Sequence, residues 1–255
     1  AQEVDTSALP DSQREFLRLP PFSIYKDNYF ISGTSINHKP DKYNSDIKYQ
    51  ISIRQLLYRQ PILGGSFPYL SYTQKSFWNV YQNSKPFAEI NFNPSLGLLR
   101  PYKNRYGTMN YVTAAIEHES NGRDSTYSRS WNRLSFSWHA YFSRRLQFSL
   151  DAWIPFDYKD ENPDLLNYVG YGQFSLSYII KENKWYADVL VRKGNQWNWK
   201  GYMQTQISYK LFQKSNEYLM LQWYNGYAES LINYQGYANK IRIGLLLRPN
   251  RNVFF

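Results

Sequence analysis

Three histidines occur in the chain, His38, His118 and His139. His38 and His139 have ordinary neighbours and read as exposed or structural. His118 stands in Ile116-Glu117-His118-Glu119-Ser120-Asn121-Gly122-Arg123, where a hydroxyl follows an imidazole by two residues. Side chains two apart on a strand share a face. Across 106–120 the even positions Val112, Ala114 and Ile116 are apolar, whereas Glu117 and Glu119 are odd. Across 130–142, Leu134, Phe136 and Trp138 share the parity of Asn132. If the two segments form a hairpin that pairs position 118 with about position 132, then His118, Ser120 and Asn132 lie within reach of each other on the apolar face. A hydroxyl, an imidazole and an amide can serve as nucleophile, base and orienter. Ser120 would attack an ester carbonyl, His118 would take and return the proton, and Asn132 would hold the imidazole tautomer. The turn Asn121-Gly122-Arg123 could offer backbone N–H groups to an oxyanion. The same residues would also make a polar rim where strands leave a membrane, and spacing alone does not choose between the two. The chain has no His-Glu-x-x-His, Gly-x-Ser-x-Gly or Gly-rich phosphate motif.

The elements that must carry these residues are strands. From Asn28 onward the hydrophobic period is two, as in Ile47, Tyr49, Ile51, Ile53 and in Ile241, Ile243, Leu245, Leu247. Strands fit 28–35, 45–58, 67–79, 89–100, 106–120, 130–142, 146–156, 168–180, 184–193, 200–211, 217–227 and 239–248. These make about twelve, an even number of the kind outer-membrane barrels use. Short turns near 101–105, 143–145, 181–183 and 213–216 alternate with longer polar loops near 80–88, 121–129, 157–167, 194–199 and 228–238, the up-and-down pattern of such a barrel. The polar face of the strands suits a lumen, and the bulky apolar face suits lipid. Trp197, Trp199, Trp223, Tyr224 and Tyr227 sit near strand ends, as rings at a membrane boundary do. The chain closes on Val253-Phe254-Phe255, a terminal Phe of the outer-membrane type. The expectation is an all-β protein, a twelve-stranded antiparallel transmembrane β-barrel over 28–255, preceded by an N-terminal arm over 1–27.

Composition agrees with that fold. The 25 Tyr, 15 Phe and 8 Trp are too many large apolar groups for a disordered chain. The absence of cysteine excludes disulfides and thiolate metal sites. No run approaches the ~20 apolar residues of a spanning helix. The net charge of +10 suits the phosphates of anionic head groups, and no nucleic acid is expected as a partner. A non-catalytic pore or adhesin barrel is the rival expectation.

The stretches Tyr72-Thr73-Gln74-Lys75-Ser76-Phe77-Trp78, His118-Glu119-Ser120-Asn121-Gly122-Arg123 and Ser128-Arg129-Ser130-Trp131-Asn132-Arg133 resemble the outer membrane phospholipase A family of Gram-negative bacteria. Glu161-Asn162-Pro163-Asp164 and Gly226-Tyr227-Ala228-Glu229-Ser230-Leu231-Ile232 add to the resemblance. It implies an outer-membrane enzyme, dependent on Ca2+, that hydrolyses sn-1 and sn-2 acyl esters of phospholipids and lysophospholipids. The site would lie on the lipid-facing wall, towards the outer leaflet. Ser120 is then the nucleophile, His118 the base and Asn132 the orienter, with Gly122 giving an oxyanion N–H. The Ca2+ ligands map to the carbonyl of Arg123 and the hydroxyl of Ser128, with Ser84 contributed by the second subunit of a homodimer. Gln74 matches the polar residue of the dimer interface. The loop Asp124-Ser125-Thr126-Tyr127 and Lys85 depart from the family pattern.

Overall fold

The structure, a computed structural model, describes residues 9–248. The Val253-Phe254-Phe255 ending lies outside the described residues. The strands are β1 (Phe22–Ile24), β2 (Asn28–Ser35), β3 (Ser45–Leu56), β4 (Phe67–Trp78), β5 (Phe87–Lys103), β6 (Met109–Ser120), β7 (Ser130–Tyr141), β8 (Leu146–Phe156), β9 (Gly172–Lys181), β10 (Trp185–Lys193), β11 (Gly201–Lys210), β12 (Glu217–Gly226) and β13 (Ala238–Leu247). Each pairs antiparallel with the next from β2 to β13, and β13 closes on β2. β1 and β2 lie one after the other along the same edge of β3, since Phe22 pairs Gln55 and Tyr29 pairs Gln50. They form a single interrupted stave, so the closed barrel has twelve.

The two faces follow the parity of the sequence. Ile116, Phe136, Ile154 and Phe174 point outward and are exposed, whereas Tyr111, Thr113, Ala115 and Ser135 point inward. An apolar exterior is what a barrel must offer to hydrocarbon. The lumen is held by ion pairs. Arg242 bridges Asp46 at 2.7 Å and Glu229 at 2.6 Å. Lys48 pairs with Glu229 at 3.1 Å, and Arg248 with Asp27 at 2.8 Å and Asp188 at 2.7 Å. Arg133 reaches Glu117 at 2.6 Å and Glu119 at 2.8 Å. Each charge in these pairs has a partner that offsets its desolvation. A lumen crossed by such bridges keeps a cavity of about 340 Å³ lined in part by these charged groups.

Two short helices depart from the sequence expectation. Within the stretch read as an arm, α1 (Asp11–Leu17) buries Phe16 and Leu17 against Leu56, Phe67, Tyr69, Leu99 and Tyr111. It fills one end of the lumen, and Lys103 anchors it through Glu15 at 2.8 Å and through Asp11. Seven residues with adjacent apolar side chains are too few to show a helical stripe. The second helix, α2 (Leu166–Val169), occupies residues that the alternation assigned partly to a strand starting at 168. Leu165, Leu166, Tyr168 and Val169 all turn into a cluster with Trp131, Trp153, Leu231 and Tyr234. Tyr224 is a further correction. Its residue type fits the membrane boundary, but it points into the lumen and its hydroxyl donates to the Tyr227 carbonyl. Its parity is that of Met220 and Gln222, which are also buried.

Candidate active site

The hairpin β6–β7 pairs His118 directly with Asn132 and Ser120 with Ser130. His118 Nδ1 lies 2.8 Å from Asn132 Oδ1. A side-chain carbonyl can only accept, so Nδ1 carries a proton, and in the neutral imidazole Nε2 keeps its lone pair. Ser120 is two residues further along the same outward face, at the end of β6. The three polar side chains therefore sit together on the lipid-facing wall, bordered by the exposed Ile116, Ile154 and Phe156 and by Phe92, which pairs with Ser120.

The loop after Ser120 is built around Asn121, which is buried. Its side-chain oxygen accepts from the N–H groups of Arg123 at 3.3 Å and Arg129 at 3.0 Å, and its amide donates to the Tyr127 carbonyl at 2.9 Å. Asn121 N–H donates to the Arg129 carbonyl. Gly122 lies between these two engaged residues with φ +64°. A side chain there would meet the Phe92 ring at 2.9 Å. Glycine meets both demands, the left-handed backbone and the missing Cβ.

Ser128 donates to Glu161 Oε1 at 2.7 Å, and among the described residues Glu161 Oε2 is buried with no hydrogen-bond partner. The Arg123 side chain folds away from this point onto β5, donating to the Ala88 carbonyl and approaching Glu89 at 3.5 Å. The loop 157–171 that carries Glu161 is fixed from three sides. Asn162, fully buried, donates to the Ser130 carbonyl. Asp164 accepts from Tyr234 and, at 2.8 Å, from Gln235. Burial, and then the Asp164 carboxylate, push the Tyr234 hydroxyl pKa well up, so it stays a donor. The α2 cluster supplies the apolar side.

Ser84 and Gln74, expected to serve a second copy of the chain, lie on neighbouring elements, and Gln74 pairs with Phe92, the strand partner of Ser120. Ser84 is exposed in the loop 79–86, on which Lys85 adopts φ +46°. Gln74 points outward from β4, accepting from Tyr72 at 2.9 Å and donating to Ser76 at 3.2 Å. Two residues at the site went unassigned in the sequence. Glu161 stands in the Glu161-Asn162-Pro163-Asp164 stretch, to which the resemblance gives no role. Asp157, whose Oδ2 is 3.3 Å from Asn132 Nδ2, gave no signal beyond its place after a strand.

A closed twelve-stave antiparallel barrel, apolar outside and ion-paired inside, is an outer-membrane β-barrel, here with a polar constellation on its outer wall. The sequence profile of the family Phospholipase A1 matches residues 14–247. Phospholipase A1 of Salmonella typhimurium is 33% identical over 244 residues, covering 89% of this chain and 82% of its own. That of Escherichia coli is 32% identical over 207 residues, covering 79% and 69%. The outer membrane phospholipase A structure from Escherichia coli superposes with a TM-score of 0.79 at 28% identity, covering 89% of this chain and 98% of its own. The Salmonella typhi outer membrane phospholipase dimer with bound calcium gives 0.79 at 28% identity, covering 93% and 97%. The chain belongs to the phospholipase A1 family. It is an outer-membrane phospholipase.

Proposed function

We propose that this phospholipase is calcium-dependent, is active as a homodimer, and hydrolyses sn-1 and sn-2 acyl esters of phospholipids and lysophospholipids through Ser120, His118 and Asn132. The observation that carries the reading is the 2.8 Å contact between His118 and Asn132 on the face that Ser120 shares. With Nδ1–H held by Asn132, His118 Nε2 takes the Ser120 proton as Oγ attacks the ester carbonyl. The developing oxyanion accepts from the Gly122 N–H. His118 then gives the proton to the departing glycerol oxygen, leaving an acyl-Ser120 ester. Water attacks that ester, His118 takes its proton and returns it to Ser120, and the fatty acid leaves. The outward Ile116, Ile154 and Phe156 offer apolar surface to the acyl chain while it is still in the outer leaflet.

The residues fit Ca2+. The Arg123 carbonyl, the Ser128 hydroxyl and the Glu161 carboxylate offer hard oxygens, and Glu161 Oε2, buried without a hydrogen-bond partner among the described residues, is an acceptor that such a cation would satisfy. Among the described residues no three His, Cys, Asp or Glu cluster, so carbonyl, hydroxyl and water oxygens would fill most of the shell. Bound Ca2+ would add positive charge beside the oxyanion. Ser84, exposed on its loop, would be offered to the second copy's site, and the outward Gln74 would meet the partner across the hydrocarbon. The calcium found with the dimeric Salmonella typhi phospholipase supports both readings.

Fatty-acid release from phosphatidylcholine in mixed micelles tests the proposal. Release with calcium that stops in excess EDTA and returns on adding calcium back is the expected result. Undiminished release in EDTA would refute the calcium dependence, and no release from a folded barrel in either condition would refute the substrate.

A further inference from the structure

We propose that Asp157 is a positioning residue for the hydrolysis, fixing the Asn132 side-chain amide in the one orientation that makes His118 a base. The inference rests on the triad reading above and adds a fourth member to it. Asp157 Oδ2 lies 3.3 Å from Asn132 Nδ2, while Asn132 Oδ1 faces His118 Nδ1.

The two ends of an asparagine amide are almost equal in size, so packing does not choose between them. Hydrogen bonding does. Flipped, the amide would direct N–H at His118 Nδ1. Nδ1 would then have to accept, the proton would move to Nε2, and the imidazole could no longer take the Ser120 proton. A carboxylate only accepts. With Asp157 on its other side, the flipped amide would set oxygen against oxygen, so the flip carries an electrostatic penalty and the productive orientation holds.

The backbone shows how Asp157 gets there. Asn132 pairs across β7–β8 with Phe156, the last residue of β8. Strict alternation would then send residue 157 to the lumen side, with Asp151, Trp153 and Pro155. Asp157 instead has φ +50°, a left-handed conformation that aspartate tolerates and larger side chains resist. This break in the alternation is what lets the carboxylate meet Asn132 on the outer face. The position is exposed and lies where the strand gives way to the loop. It therefore remains hydrated, and an ionised group there avoids the cost of burial in hydrocarbon.

A double-mutant cycle measured on phosphatidylcholine micelles tests this. Asp157→Ala should lower kcat about tenfold, the scale of one hydrogen bond to a charged group, with KM within about twofold of wild type and the urea unfolding midpoint unchanged. Asn132→Ala should lower kcat further, and adding Asp157→Ala to it should change nothing more. Asn132→Asp alone sets two carboxylates face to face. The pair Asn132→Asp with Asp157→Asn restores a donor and an acceptor with their ends exchanged, and should exceed Asn132→Asp alone by about tenfold. Wild-type kcat in Asp157→Ala, or an equal loss when Asn132 is already Ala, would overturn the positioning role and leave the triad standing. Wild-type kcat in Asn132→Ala would overturn both.

Discussion

Ser120→Ala will leave a folded barrel that releases no fatty acid. The loss should reach at least about 10⁴-fold in kcat, because a nucleophile and its base act as one unit. The barrel should be indifferent to the change. Ser120 is the last residue of β6, and its ladder partners Ser130 and Phe92 are held through the backbone. The far-UV spectrum and the urea midpoint of the variant should match wild type, and fatty-acid release in calcium is the measurement that separates the two. Activity retained within tenfold would remove Ser120 from the reaction.

The second large effect is expected at Gly122. An alanine there meets two obstacles at once. The left-handed backbone at φ +64° is disfavoured for any L side chain by about 1–2 kcal/mol. The new Cβ would also press on the Phe92 ring at 2.9 Å. The turn must shift, and with it the N–H that the proposal assigns to the oxyanion. Removing one such donor costs about 10²–10³-fold in kcat, and Gly122→Ala should fall in that range with KM little changed. Steady-state kinetics on the same micelles gives the answer, and an alanine variant with wild-type kcat would show that this turn does not serve the oxyanion.

Much of this could be read from the residues alone, and the reason is physical. A barrel wall has two uniform environments, lipid outside and a polar lumen inside, so parity along a strand reports direction without knowledge of neighbours. Because of that, His118, Ser120 and Asn132 could be placed on one outward face, and the register of 118 with 132 follows from a hairpin whose ends match. Parity failed where the backbone leaves the strand. Asp157 breaks the alternation with a left-handed φ, so its reach to Asn132 has no periodic signature. At Tyr224 residue type alone suggests a boundary ring, whereas its even parity, shared with Gln222, places it inside. The helix at Asp11–Leu17 is defined by what Phe16 and Leu17 meet on β3, β4, β5 and β6, contacts made far along the chain. Glu161 likewise earns its place through Ser128, 33 residues away in sequence.

The lumen bears on the rival expectation of a pore. Arg242, Glu229, Asp46 and Lys48 tie β13, β3 and the loop 227–237 together across the interior. Arg133, Glu117 and Glu119 do the same behind the site itself. Glu117 and Glu119 flank His118 in the sequence but face the opposite side of the wall. The inner network thus stiffens the strand whose outer face carries the imidazole, and rigid support of this kind is what a site of fixed geometry needs.

The central claim is that Ser120 is an activated nucleophile on the lipid-facing wall. Its most direct test is to treat the folded protein in calcium with a long-chain alkyl sulfonyl fluoride and map the modified residue by mass spectrometry. The account predicts one adduct, on Ser120, formed as hydrolysis is lost and absent from the His118→Ala variant. Loss of hydrolysis with the adduct on any other residue, or Ser120 modified equally without His118, would contradict it.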